Sequence, residues 1–189
     1  MLKSKKIIIS ILSIVILASI IVCFYLHGNI KDVVEILPEE EISDEQYRKT
    51  MISLYFKNKN TNELMPEVQL VDVKLLINEP YVTILNLLME KPKNDNLECV
   101  IPEGTKINKV ELKSDILWID FSKEFIENHP GSIEEEKCTI YSIVNTLTEL
   151  TEVNGIKILI DNEENKSFKD NSLGFGDIFI REKNNNFKD

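Results

Sequence analysis

An uncharged apolar run near the N-terminus constrains this chain more than any other feature. Residues 7–26 read IIISILSIVILASIIVCFYL, twenty consecutive residues without a charge. At about 1.5 Å of rise per residue, a helix of that length spans about 30 Å, the thickness of a bilayer core. Lys3, Lys5 and Lys6 precede it, and basic residues are retained on the cytoplasmic side. The run predicts a single membrane-spanning helix, with the N-terminus inside the cell and the rest of the chain outside.

Two alternatives to a permanent anchor are open. A cleaved signal peptide has a shorter apolar core and small residues before the cut, whereas the late part of this run is bulky. Cys23 suggests a lipoprotein cysteine, but Val22 stands where that motif requires a small residue. The anchor is therefore the prediction, and a lipoprotein or a secreted protein is the alternative.

Charge and composition exclude several classes of function. The whole chain has a net charge of −10, and the first 26 residues contribute three lysines and no acid, which leaves −13 for the remainder. Such an acidic surface argues against nucleic-acid binding, which requires a surplus of Lys and Arg. Two histidines, three cysteines and six glycines provide little material for a metal cluster or a phosphate-binding loop. The composition therefore predicts no metal, no cofactor and no nucleic-acid partner.

The chain divides into four parts. Residues 1–26 form the cytoplasmic tip and anchor, and residues 27–49 form a tether in which acidic side chains crowd around Pro38. Residues 50–182 carry the apolar patterns of an ordered domain, and the polar residues 183–189 are predicted to be a disordered tail.

The ordered part predicts an α+β fold with the element order β-β-α-β-β-α-β. Asn78 is expected to cap a first helix that has Pro80 in its first turn, and Ser132 with Glu135 forms a capping box for a second helix that continues to Leu150. The predicted strands are 51–56, 63–74, 107–112, 116–121 and 156–160, with a further edge strand at 173–180. Because strands and helices do not strictly alternate, we expect a mixed sheet covered on one face by two helices.

The histidines and carboxylates are the first candidates for chemistry. His27 lies at the membrane exit, and His129 lies in a Pro-Gly break without a recognisable nucleophile motif, so we expect a histidine on a surface loop. Asp120 and Glu124 could act as a general acid–base pair in hydrolysis. The alternative is that Asp120 binds the backbone of the turn from Asp120 to Ser122, and in so acidic a chain this is the favoured interpretation.

The cysteines and aromatic residues are the remaining candidates. Cys99 and Cys138 follow the anchor, where a disulfide is permitted, but unpaired and largely buried thiols are favoured. Trp118 and Tyr141 could line a ligand groove, yet both lie in apolar elements, which predicts core packing. The sequence therefore predicts no catalytic, cofactor-binding or metal-binding residue.

Six segments in order resemble the GerMN domain, the module of the GerM sporulation and germination proteins. Ile101–Thr105 is similar to the family's IPxGT pattern, and Trp118–Phe125 to its V-D-L-S-x-x-F pattern. Lys91 and Asn162 depart from the family, which has Gly at both places. The other similar segments are Leu54–Phe56, Leu87–Pro92, Ile140–Leu150 and Gly155–Asp161.

The resemblance implies a fold like the ring-building modules of secretion systems and a place in envelope complexes of spore-forming Gram-positive bacteria. It carries over no catalytic or binding residue, because the shared motifs are typical of turns and strand ends. We therefore expect a non-enzymatic assembly or scaffolding protein whose partners are the membrane and envelope proteins or further copies of the chain, with a small-molecule ligand disfavoured. The alternative is a module that binds cell-wall polymer or a small germinant.

Overall fold

The computed structural model describes residues 18–21, 48–169 and 173–181. The chain divides into two compact units, Met1–Ser43 and Asp44–Asp189. Residues 18–21 are helical, and the rest of the predicted anchor lies outside the described residues, as do residues 27–47 of the predicted tether and the predicted tail. Among the residues that are described, no helix is both long and apolar enough to cross a membrane.

The second unit is an α+β domain, as the patterns predict. Its described part contains the five predicted strands, the two predicted helices, and three short elements that the patterns did not indicate. In chain order the elements are β1 (Lys49–Asn58), β2 (Leu64–Asp72), α1 (Val73–Leu76), α2 (Pro80–Met89), β3 (Leu97–Glu98), β4 (Ile107–Lys113), β5 (Ile116–Phe121), α3 (Glu124–Glu127), α4 (Ile133–Leu147) and β6 (Gly155–Ile160).

The strands form two sheets, so the prediction of a single mixed sheet is wrong. Sheet A has the order β2-β1-β3, and sheet B has the order β4-β5-β6. Sheet A is antiparallel, with β3 pairing only with Lys57 and Asn58. Sheet B is mixed, because β4 and β5 form the predicted antiparallel hairpin and β6 lies parallel to β5. A parallel pair needs a long crossover, and α4 lies in that connection.

One cluster of buried apolar side chains joins both sheets to the two long helices. Sheet A contributes Leu54 and Phe56, and α2 contributes Leu85 and Leu88, all with no more than 1% of their surface exposed. From sheet B and α4 come Leu117, Ile119, Phe121, Ile156, Ile158, Ile140, Ile143, Val144 and Leu147. The alternating pattern of β5 and the i, i+3, i+4 pattern of α4 account for these core residues, but Ile133, which the helical pattern assigns to the buried stripe of α4, is exposed.

The two helix starts differ in how well they match the predicted caps. Ser132 caps α4, and its hydroxyl accepts a hydrogen bond of 3.2 Å from the backbone N–H of Glu135. Asn78 does not cap α2, because Glu79 occupies the cap position and makes no side-chain cap bond. Pro80 is the first residue of α2, where its missing N–H needs no partner.

Candidate functional site

His129 is buried, so its predicted place on a surface loop is wrong. The backbone N–H of Gly131 donates to Nδ1 at 3.2 Å, which leaves the proton on Nε2, 3.0 Å from the Thr139 hydroxyl. That hydroxyl in turn donates to the carbonyl of Val100. Burial lowers the pKa of His129 below its ordinary 6.5, although the charge of Glu135 opposes this. Through the Thr139 hydroxyl, the neutral ring links the loop before α4 to the backbone of Val100. It does not activate a nucleophile.

Asp120 and Glu124 do not share a site. Asp120 is 9% exposed, and its carboxylate accepts a hydrogen bond of 2.8 Å from the backbone N–H of Asn162, after β6. The favoured backbone-binding role is therefore correct, but the partner lies on another strand end instead of in the turn to Ser122. A hydrogen bond from Ser122 lowers the pKa of the partly exposed Glu124. A general acid at neutral pH needs a raised pKa, so this carboxylate is unsuited to that role.

The two cysteines of the domain are unpaired, as favoured from the sequence. Cys99 is half-buried, and its thiol donates to the carbonyl of Leu88 at 3.2 Å. Cys138 is buried, and desolvation raises the pKa of its thiol to about 12. Because the thiolate is the reactive form, neither residue is prepared for catalysis.

Lys57 forms an ion network that the sequence patterns did not indicate, since the predicted first strand ends at Phe56. Its ammonium group lies 2.8 Å from a carboxylate oxygen of Glu98 and 2.8 Å from one of Glu135. Burial opposes the charge, but the bonds to Glu135 and Glu98 raise the pKa of Lys57. The network ties β1, β3 and α4 together at the wall of an open cleft of about 670 Å³. Its charged groups bind one another, which indicates a structural role.

The C-terminal segment, defined as residues 173–181, falls within the predicted domain and contains the predicted edge strand 173–180. The predicted edge strand is reduced to two isolated bridges: Gly174 pairs with Ser167, and Phe179 exchanges two backbone hydrogen bonds of 2.8 Å with Ile156. Phe175 is fully buried, and the ammonium group of Lys157 donates to its carbonyl at 2.9 Å. Arg181, the last residue of the segment, pairs with Glu149 at 2.6 Å. The segment therefore belongs to the folded domain.

Trp118 lies on the face of sheet B opposite the core, so its predicted core packing is wrong. Leu117 and Ile119 point into the core, and strand alternation places Trp118 on the other side, half-buried. The ammonium group of Lys113 lies 3.9 Å from the centre of its ring. Tyr141, by contrast, packs against the core as predicted.

A shallow groove of about 60 Å³ surrounds Trp118 on this outer face. It combines an aromatic surface with charged and amide side chains and has no deep cavity, which suits contact with another molecule better than catalysis. We call this surface the Trp118 face; it is lined by Lys109, Glu111, Lys113, Trp118, Asp120, Leu159 and Asn162. Within the described residues, no group of three His, Cys, Asp or Glu side chains is placed to bind a metal ion.

Comparison with known proteins gives a family and a fold. A family model described as Germane, sporulation and spore germination, matches residues 53–166, more than half of the chain. The chain is similar to the first GerMN domain of the sporulation protein GerM from Bacillus subtilis, with 22% identity and a TM-score of 0.58, covering 70% of this chain and 98% of that domain. Against the tandem GerMN domains of the same protein the identity is 18% and the TM-score 0.60, covering 76% of this chain and 50% of the tandem. No curated protein sequence matches.

Proposed function

The chain belongs to the Germane family, and we propose that it is a non-enzymatic, membrane-anchored protein that displays a GerMN-type domain outside the cytoplasm of a Gram-positive spore former. In this proposal the domain acts in sporulation or germination by assembling with envelope proteins. The uncharged run at residues 7–26, preceded by three lysines, supports the anchor and its orientation. The family description supports the process.

The use of the polar side chains supports a role without catalysis. His129 is held neutral between Gly131 and Thr139, Asp120 binds the backbone of Asn162, and Lys57 is bound by two carboxylates. An active site needs a nucleophile or an acid–base pair with a substrate position between its groups. These side chains are instead committed to contacts within the domain.

The Trp118 face is the observation that carries the assembly role. Trp118 is the only tryptophan of the chain, and it is half-exposed instead of buried in the core. Tryptophan is among the residue types that most often dominate the binding energy at protein interfaces. An exposed sheet face with such a centre provides a contact surface that requires no change in the fold.

The experiment is complementation of a deletion strain by the full-length protein. We expect Trp118→Ala to lose most of the sporulation or germination function while remaining folded and at normal abundance. Met65→Ala, at an exposed position on sheet A, is the control and is expected to complement fully. Full complementation by Trp118→Ala would contradict the proposal.

A second variant separates assembly from catalysis. Asp120→Asn keeps an oxygen that can accept the hydrogen bond from Asn162 but removes the carboxylate. We expect this variant to complement. Loss of function in a folded Asp120→Asn protein would favour the hydrolytic alternative.

Binding of cell-wall polymer is the second candidate function, and the same face favours it. Sugars bind to aromatic rings beside polar groups, and Trp118 lies beside Asp120 and Asn162 in the groove. The test is co-sedimentation of the detergent-solubilised full-length protein with purified cell walls. This candidate is supported if the native protein and Met65→Ala sediment with the cell walls and Trp118→Ala does not. It is excluded if the native protein does not sediment above background.

A further inference from the structure

Six large apolar side chains are exposed at the end of sheet A where β1 begins and β2 ends. Met51 has 72% of its surface exposed, Leu70 64% and Ile77 69%. Exposed apolar groups that lie together on a soluble domain mark a contact surface. We call this surface the apolar end; its members are Met51, Val68, Leu70, Val73, Leu75 and Ile77.

Strand pairing places exposed side chains of the apolar end on the outer face of sheet A, away from the core. Met51 lies directly opposite Leu70 in the antiparallel ladder, so both point to the same face. Their neighbours Ile52 and Val71 point to the other face and are buried in the core. At this end of sheet A the outer face therefore presents aliphatic groups where strand alternation would normally place polar ones.

The apolar end lies where the polypeptide enters the domain. The backbone N–H of Val73, the first residue of α1, donates to the carbonyl of Arg48 at 2.6 Å. Arg48 is the first described residue of the domain, and the uncharged run ends at Leu26. The 21 residues between them reach at most about 70 Å when fully extended. A bilayer spanned by residues 7–26 would therefore lie within reach of the apolar end.

Charge distinguishes this end from the chain as a whole. Among the described residues of this end, Arg48, Lys49 and Lys74 outnumber Asp72 and Glu79, although the acidic tether of residues 27–47 enters here; in the full chain acidic residues outnumber basic ones by 32 to 22. The Asp72 carboxylate is also engaged by the backbone N–H of Lys74. An apolar surface with a small basic excess can approach an anionic bilayer that repels the remaining surface.

We propose that the apolar end lies against the outer leaflet of the bilayer that holds the anchor, with its aliphatic side chains at the boundary between headgroups and acyl chains. This inference rests on the membrane anchor of the proposed function. A second copy of the chain is the less favourable occupant, because residues 27–189 carry a net charge of −13 in each copy and would repel each other. The apolar contact then fixes the orientation of the domain on the membrane, even though the acidic domain and the anionic bilayer repel each other.

The test uses the full chain in lipid nanodiscs of phosphatidylglycerol and phosphatidylcholine, with and without brominated acyl chains. Leu75→Trp places a fluorophore at the apolar end, and we expect bromine to reduce its emission by about half. Ile133→Trp is the matched control: Ile133 is also exposed, but it precedes Glu135, which binds Lys57 at the far end of β1. We expect no bromine effect for this control or for the native Trp118.

A second variant tests the contact itself. Adding Leu70→Glu and Ile77→Glu to Leu75→Trp is expected to abolish the quenching, because charged side chains oppose insertion. If the chain enters the nanodiscs and the tryptophan at position 75 is not quenched, the inference is wrong and the proposed anchor is unaffected. Equal quenching of the tryptophan at position 133 would also overturn it. So would a tryptophan at position 75 that is shielded from solvent only when two chains share a disc. Failure of the chain to enter nanodiscs would contradict the anchor and this inference together.

Discussion

The hydroxyl of Thr146 accepts a hydrogen bond of 2.9 Å from the backbone N–H of Tyr55. One helical turn earlier, the hydroxyl of Ser142 donates to the carbonyl of the same residue at 2.6 Å. Two side chains of α4 thus satisfy the backbone of β1 at a point where β3 does not pair with it. An open strand edge pairs readily with other chains, so the helix closes this edge by polar contacts instead of a further strand.

Replacing Thr146 with Val removes the partner of a buried N–H group while conserving the side-chain volume. We expect the free energy of unfolding to fall by about 1–3 kcal/mol, the usual cost of leaving a buried donor unsatisfied. Thr148→Val is the matched control, since the Thr148 hydroxyl binds only the Val144 carbonyl of its own helix. Denaturation of the full-length protein by urea measures both, and equal losses would contradict the role assigned to Thr146.

Removing the side chain of Phe175 tests whether the C-terminal segment belongs to the fold. Phe175 is fully buried and packs against Phe168 and Phe125, with ring centres 5.0 and 6.1 Å away. We expect Phe175→Ala to cost about 3–5 kcal/mol of stability, as for other buried phenylalanines. Ile178→Ala, at an exposed position of the same segment, should change stability by less than about 0.5 kcal/mol. Similar small losses for both would show that the segment is not part of the core.

The thiols of the domain should resist alkylation in the folded protein. With the pKa of Cys138 raised to about 12, only about one molecule in 10⁴ carries the thiolate at pH 8. Burial also raises the pKa of Cys99. We expect iodoacetamide to modify both residues at least about 100-fold more slowly in the native protein than in urea, as measured by mass spectrometry of their peptides. Rapid labelling of native Cys138 would contradict its burial.

Local patterns predicted the elements of this fold well because each depends on neighbouring residues. The apolar patterns placed strand β5 and helix α4 where the structure has them, and the Ser132 hydroxyl caps α4, whereas the Glu135 carboxylate of the predicted capping box binds Lys57. The number of sheets could not be predicted in this way. Which apolar strands pair depends on distant residues, and nothing in the β1 or β4 patterns excludes their pairing with each other.

The candidate site was harder to predict, because its features depend on contacts between distant residues. Trp118 was assigned to the core from its apolar neighbours, although its alternation with Leu117 indicates the opposite face. His129 is buried by Thr139 and by Phe168, whose ring centre is 4.5 Å away and whose segment reads as polar. A lone aromatic residue in a polar stretch gives no periodic signal, so the covering of His129 could not be inferred.

Titration of His129 should make the domain less stable in mild acid. Burial lowers the pKa of the folded-state imidazole below the ordinary 6.5, so the unfolded chain binds the proton more readily. The stabilisation is therefore complete above pH 6.5 and is lost as the pH falls through the folded-state pKa. We expect urea denaturation to give a smaller free energy of unfolding at about pH 5.5 than at about pH 7.5, and His129→Gln to reduce this dependence. His27→Gln, at the other histidine of the chain, is the control and should leave the dependence unchanged. An identical pH dependence in His129→Gln and the native protein would show that other groups cause the effect.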